Sequence, residues 1–285
     1  MSTYLYPAAY GLFVWWFSTG LIIFLDNLPP RTFRWSMLAG TAVLLIALAR
    51  LSASSAEPTT TGAYAAFTYA VLIWGWQEMS FFMGFITGPR RHGCTRGCSG
   101  WRHFRHGVEA CLYHELAIII TAGVVVWLTR GAPNQVGTWT FMLLWGMRQS
   151  AKLNFFLGVR NLSEEFLPAH LDFLKSFLRR RAMNPLMPVS ITGGTLLCAW
   201  LIFRAGAQGI DAFHATGLTF LVTMLALAVI EHWFLVLPLP FARLWHWALR
   251  VARRSPAALP TASEPAADPA CQARELRVRP VSAIA

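Results

Sequence analysis

The chain has 285 residues, of which 55% are hydrophobic and 13% charged, with a mean hydropathy of +0.46. A soluble domain carries roughly 25% charged residues, so this composition excludes an ordinary soluble globule and predicts an all-α, polytopic membrane protein. The formal net charge of +11 would suit nucleic acid, but the basic residues crowd the loops of one side, as membrane topology requires; the expected partner is the lipid bilayer and no nucleic acid is expected.

Apolar runs of about 20 residues, enough to cross a hydrocarbon core of about 30 Å, recur along the chain. The first spans about Ala8 to Leu25 and stops at Asp26-Asn27 and Pro29-Pro30, since proline cannot continue a helix. The second, about Ser36 to Ala49, is short. The loop SSAEPTTTG leads to a third, about Ala63 to Ile86, which holds Gln77 and Glu78. A glycine-rich basic segment follows, Gly88 to Gly107, with Cys94, Cys98, His92, His103 and His106. The fourth span, about His106 to Leu128, carries Glu109, His114 and Glu115 in its first half, and the fifth, about Thr138 to Gly158, carries Arg148, Gln149, Lys152 and Asn154.

A polar loop with Glu164, Glu165 and His170 comes next. It runs into an amphipathic helix, Leu171 to Arg181, whose end, Arg179, Arg180 and Arg181, is placed on anionic lipid. Pro185 and Pro188 open the sixth span, to about Ala205, and the seventh runs about Ala212 to Leu237 with Glu231 and His232 near its end. After Pro238 and Pro240 the run FARLWHWALRVARR is a second surface helix with interfacial tryptophans. The chain thus divides into a seven-helix transmembrane domain over 1–237, including an interfacial helix at about 170–182, a basic aromatic interfacial helix over 238–254, and a disordered Ala/Pro-rich tail over 255–285. No cleavable signal peptide is expected, because no basic segment precedes the first apolar run. The cysteines, Cys94, Cys98, Cys111, Cys198 and Cys271, do not form a secreted disulfide framework.

The basic residues set the orientation. Arg31 and Arg34, the arginines from Arg90 to Arg105, the group from Arg160 to Arg181 and the tail fall on one side; Arg50, Arg130 and Arg204 fall on the other. Seven spans then put the protein in the inner membrane with the N-terminus periplasmic and the C-terminus cytoplasmic.

Orientation places the polar residues in depth. At about 1.5 Å rise per residue, Glu78 lies roughly 15 Å from the cytosolic end of its span, His114 roughly 16 Å above His103, and Lys152 and Glu231 roughly 9 Å from their cytosolic ends. Arg148 and Lys152 are four apart and share a helix face. An intramembrane charge is costly unless paired or hydrated. We therefore expect one interior polar cluster of Glu78, His114, Glu115, Arg148, Lys152, Glu231 and His232, with Glu109 nearer the interface. Acids outnumber bases, so either a carboxyl is kept protonated or a cation is missing.

Three readings of that cluster stay open. It is a buried ion-pair network that fixes helix packing. It is a metal centre, with Glu78, His114, Glu115, Glu231 and His232 holding iron or zinc as in a di-metal oxygenase, although the usual Glu-x-x-His signature is absent. Or Glu78, Glu231 and Lys152 form a proton relay of a coupled transporter. The loop spacing C-x₃-C-x₄-H-x₂-H over Cys94, Cys98, His103 and His106 matches no standard zinc finger and reads as a flexible basic loop touching headgroups.

The run KLNFFLGVRNLSEEFLPAHLDFLKSFLRRRAMNPLMPVSIT, Lys152 to Thr192, resembles the signature block of the PuhE family, named for photosynthetic complex assembly in purple phototrophic bacteria. WWFSTG, Trp15 to Gly20, and the following LDNLPP are similar to that family's opening. The resemblance implies a factor for assembly of the reaction centre and antenna and for the level of bacteriochlorophyll. Its partners would be photosystem subunits or pigment-synthesis enzymes, and its ligand bacteriochlorophyll or a precursor; no reaction is implied.

The topology is testable directly. Reporter enzymes fused at Pro58 and at Arg96 are expected on opposite sides of the membrane; both on one side would remove the second span and the depth argument with it.

Overall fold

The computed structural model of the chain describes residues 2–94, 98–162, 164–237 and 241–249. The expected tail over 255–285, the end of the expected 238–254 helix and the side chain of Glu165 lie outside the described residues. Within them the protein is all-α, with seven long helices: α1 Ser2–Asp26, α2 Phe33–Ser55, α3 Thr60–Phe82, α4 Gly100–Leu128, α5 Val136–Leu157, α6 Leu186–Ala205 and α7 Ala212–Phe234.

Local chemistry sets the ends. The Thr59 side chain accepts from the Gly62 amide at 3.0 Å and opens α3; Asp211 accepts from the His214 amide at 2.9 Å and opens α7. Each satisfies an orphan donor of a first turn. Asn184 does more. Its Oδ1 accepts from the Leu186 amide at 2.9 Å, while its Nδ2 donates to Gly158 O at 2.8 Å, tying the start of α6 to the end of α5. Gly84, with φ 79°, turns the chain out of α3 four residues earlier than the apolar run suggests. The amides of Phe85 and Ile86 fold back to Ser80 O, both at 3.0 Å.

Five helices, α1, α2 with its preceding turn, α4, α6 and α7, are long and apolar enough to cross a membrane. The two that fall short, α3 and α5, hold Glu78, Arg148 and Lys152, and they pack against most of the others. Phe67 of α3 stacks on Phe220 of α7 at 4.2 Å, and Trp74 of α3 meets Phe141 of α5 edge-on at 5.6 Å. The outer helices turn apolar side chains such as Leu38, Ile46, Ile120, Leu196 and Phe203 outward. Such a continuous apolar exterior marks a lipid-facing surface.

Two expectations are corrected. The second helix is not short: it runs 23 residues to Ser55. The segment from Leu171 to Arg181 is not an amphipathic α-helix. A 3₁₀ helix covers Ala169–Phe177, and the following residues are extended along the end of α5. The backbone there has better partners than a helix would give it: Arg179 N donates to Phe155 O at 3.2 Å, Val159 N to Arg179 O at 3.0 Å and Arg181 N to Val159 O at 3.0 Å. Arg181 packs over Gly158, whose φ of 120° is open to glycine.

The described part of the aromatic segment after α7 also touches α1. Phe241–Trp245 is a 3₁₀ turn, Trp245 is buried, its indole donates to Trp16 O at 3.0 Å, and its ring meets Trp15 edge-on at 5.3 Å.

Gly137 of α5 sits against α3, where an added Cβ would lie 2.9 Å from Ala66 O and meet Leu51 as well. Gly137→Leu is expected to destabilise by about 1–3 kcal/mol through overpacking, although leucine is the better helix former. A lowered melting temperature in detergent would show it.

Candidate functional site

The interior helices enclose a cavity of about 670 Å³, walled largely by apolar and aromatic side chains of α1, α3, α4, α5 and α7. Four carboxylates of the long helices reach its wall, Asp26, Glu78, Glu115 and Glu231, with two cations, Arg148 and Lys152. Each cation has a carboxylate from another helix. Arg148 Nη2 lies 3.0 Å from Glu78 Oε2, joining α5 to α3. Lys152 Nζ pairs with Glu115 Oε1, and Gln149 Nε2 donates to Glu115 Oε2, so α5 grips both oxygens of that α4 carboxylate. Aromatic rings complete the cation shells: Phe82 lies 5.6 Å from the Arg148 guanidinium and Phe81 5.6 Å from Lys152 Nζ.

The other two carboxylates differ. Glu231 accepts a hydrogen bond from the Trp15 indole at 3.2 Å and makes no ion pair among the described residues. Asp26 closes α1 and is only 7% exposed, and its Oδ1 has no hydrogen-bond partner there. Sequence reasoning missed Asp26, because its place beside Asn27 and two prolines made it a helix terminator at the interface. The available signal was its level: α1 and α3 run parallel, so the end of α1 meets the later turns of α3.

The two histidines of the expected cluster are used elsewhere. His114 is fully buried against Phe81, with ring centroids 4.6 Å apart, and neither nitrogen has a partner among the described residues. It does not line the cavity. His232 reaches the wall, but Nδ1 donates to Ala228 O at 2.8 Å and Nε2 lies 2.9 Å from Ser150 Oγ. Ser150 Oγ is also 2.9 Å from Ser190 Oγ, so this network joins α7, α5 and α6.

The expected metal set is therefore dispersed. Among the described residues, no three of Glu78, His114, Glu115, Glu231 and His232 present ligand atoms within 4.8 Å of one another. Among the described residues the group that does so is Cys94, Cys98 and His106, in the loop read as flexible and in the first turns of α4.

Of the remaining candidates, Glu164 lines the cavity, and Glu109, His170, Arg179 and Arg180 do not. Glu109 is within 3.7 Å of Arg90 and 3.4 Å of Arg105. Glu164 borders the cavity and pairs with the exposed Arg180 at 3.1 Å. His170 Nε2 donates to Phe82 O at 2.8 Å, capping the end of α3. Arg179 lies over the Phe156 ring at 5.5 Å.

These features define a multi-pass helical membrane protein with a charged interior cavity. The chain belongs to the DUF3623 family, described as a protein of unknown function, whose model matches residues 1–256. It is 41% identical over 246 residues to "Uncharacterized 30.4 kDa protein in puhA 5'region" of Rhodobacter capsulatus, a match that covers 84% of this chain and 88% of that protein. No solved structure matches it.

The ion pairs can be weighed by mutation. Arg148→Ala leaves the Glu78 carboxylate without its cation in a largely apolar cavity, at an expected cost of about 3–5 kcal/mol. The double change Arg148→Ala with Glu78→Gln should cost less than the sum of the single changes, because the partners couple. Arg105→Ala, at the exposed Glu109 pair, should cost under about 1 kcal/mol. Unfolding in mixed micelles reads all four proteins.

Proposed function

We propose that this chain is an inner-membrane factor for assembly of the photosynthetic reaction centre and antenna, and that its cavity holds an apolar, polar-centred guest such as bacteriochlorophyll or a precursor. The cavity carries the reading. Ligand pockets of about 300–1,000 Å³ with apolar walls and a few convergent polar groups bury a small molecule well, and a volume of about 670 Å³ lies inside that range. The two paired carboxylates, Glu78 and Glu115, hold the walls together. Asp26 and Glu231, which have no cation among the described residues, are the groups able to meet a metal centre or a donor of the guest.

The relative encoded 5′ of puhA supports a photosynthetic setting, and the similarity of the Lys152–Thr192 block to the PuhE family supports the assembly role. Reaction-centre or antenna subunits and pigment-synthesis enzymes are the partners in this reading. All seven helices cross the bilayer, with the N-terminus periplasmic, the C-terminus cytoplasmic, and α3 and α5 shielded from lipid by their neighbours.

Protein purified from pigment-making cells should carry tetrapyrrole absorbance at about one pigment per chain. Glu231→Gln and Asp26→Asn should reduce it while the Arg148–Glu78 pair keeps the fold. A colourless preparation, with unchanged reaction-centre levels in a deletion strain, would sink the proposal.

A further inference from the structure

The basic segment between α3 and α4 holds a second, separate constellation. His106 Nδ1 lies 3.4 Å from Cys94 Sγ and 3.4 Å from Cys98 Sγ. His103 Nδ1 lies 3.3 Å from Cys94 Sγ. A tetrahedral ion with bonds of about 2.3 Å to sulfur and about 2.0–2.1 Å to nitrogen has sulfur–nitrogen edges of roughly 3.6 Å. The observed separations are within a few tenths of an ångström of such edges. From them we propose that Cys94, Cys98 and His106 bind one zinc-class divalent cation, with His103, which touches Cys94 but stands outside that mutual group, turning in as the fourth donor.

The donor chemistry narrows the metal. Two thiolates with two imidazoles are the set that zinc takes in closed structural sites, and such a set leaves no open position for a substrate. Binding releases the two thiol protons to water, and the two thiolate charges cancel those of the cation. A neutral centre is then placed among Arg90, Arg102 and Arg105, where an unneutralised dication would be repelled.

The fold also brings Cys94, Cys98 and His106 together from two directions, with His103 beside Cys94. His103 and His106 are one turn apart at the start of α4, so both side chains leave the same face. The loop is held against the helix before any metal is considered. Gly88 lies so close to the backbone of Glu109 and Ala110 that a Cβ would not fit. The Thr87 carbonyl accepts from His114 N at 3.0 Å, Arg90 Nη2 donates to Gly93 O at 3.3 Å, and Cys94 N donates to Ser176 Oγ at 2.9 Å. The His103 ring stacks on Phe156 at 5.3 Å and lies 5.7 Å from Phe177, both of which line the cavity. The ion would therefore lock the start of α4 and the loop onto one wall of the cavity. It would have a structural role, independent of what the cavity holds.

The test uses the full-length protein in detergent. Elemental analysis should find about one zinc per chain after dialysis. After removal by a strong chelator with reductant, Co²⁺ titration should saturate at one equivalent, with the d–d bands of a tetrahedral ion and a thiolate-to-metal charge-transfer band. Cys94→Ser and Cys98→Ser should each weaken binding more than about 100-fold, beyond what is lost when a group that only supports a ligand is removed. His114→Ala and Cys111→Ser should leave it intact. Absence of the cobalt bands in fully reduced wild-type protein would overturn the proposal. So would a Cys94–Cys98 disulfide in protein isolated without reductant, or metal retained by the double serine variant. Because the wild-type spectrum decides by itself, a variant that fails to fold does not shield the idea.

Discussion

Arg148 and Lys152 govern the architecture. An arginine and a lysine on one face of a helix cannot face hydrocarbon without a cost of several kcal/mol, so α5 turns that face inward, and the helices that meet it must bring carboxylates. Glu78 of α3 and Glu115 of α4 supply them. Two ion pairs thus fix the rotation of three helices about their axes. Because charged side chains cannot interdigitate like leucines, the space around them remains open as the cavity. The same residues that pin the bundle create its interior site.

The fold class was legible in the apolar runs, since every long helix follows one of them. The helix ends were less so. The chain leaves α3 at Gly84 while the sequence is still apolar, because a left-handed glycine redirects it. The segment 171–181 has the composition of an amphipathic helix, yet long-range backbone bonds to Phe155 and Val159 hold its second half extended. Periodicity reports which residues would share a helix face; it cannot report that a distant strand of backbone competes for the same amides.

Depth arithmetic located much of the site, since residues at one level of a bilayer on packed helices have few other places to go. It could not assign partners. Lys152 meets Glu115 rather than Glu231, because α5 packs against both α3 and α4 and the two cations, one turn apart on a shared face, reach carboxylates of different helices. His114 shares the depth of the cluster but turns to Phe81, and depth says nothing about rotation. The Cys94/Cys98/His106 group was undervalued for a related reason. Its spacing matches no standard finger, and only the folded loop shows that Cys94 and Cys98 return to the start of α4.

The interior position of α3 and α5 bears on how the chain enters the membrane during synthesis. A translocon sorts segments by hydropathy, and these two helices are the least apolar of the seven. Neither partitions strongly into lipid alone. Chain order eases the difficulty: Glu78 and Glu115 are synthesised before Arg148 and Lys152, so when α5 emerges both counter-charges have already been made. Ribosomal order, and not only final packing, thereby becomes part of what makes a doubly cationic helix insertable.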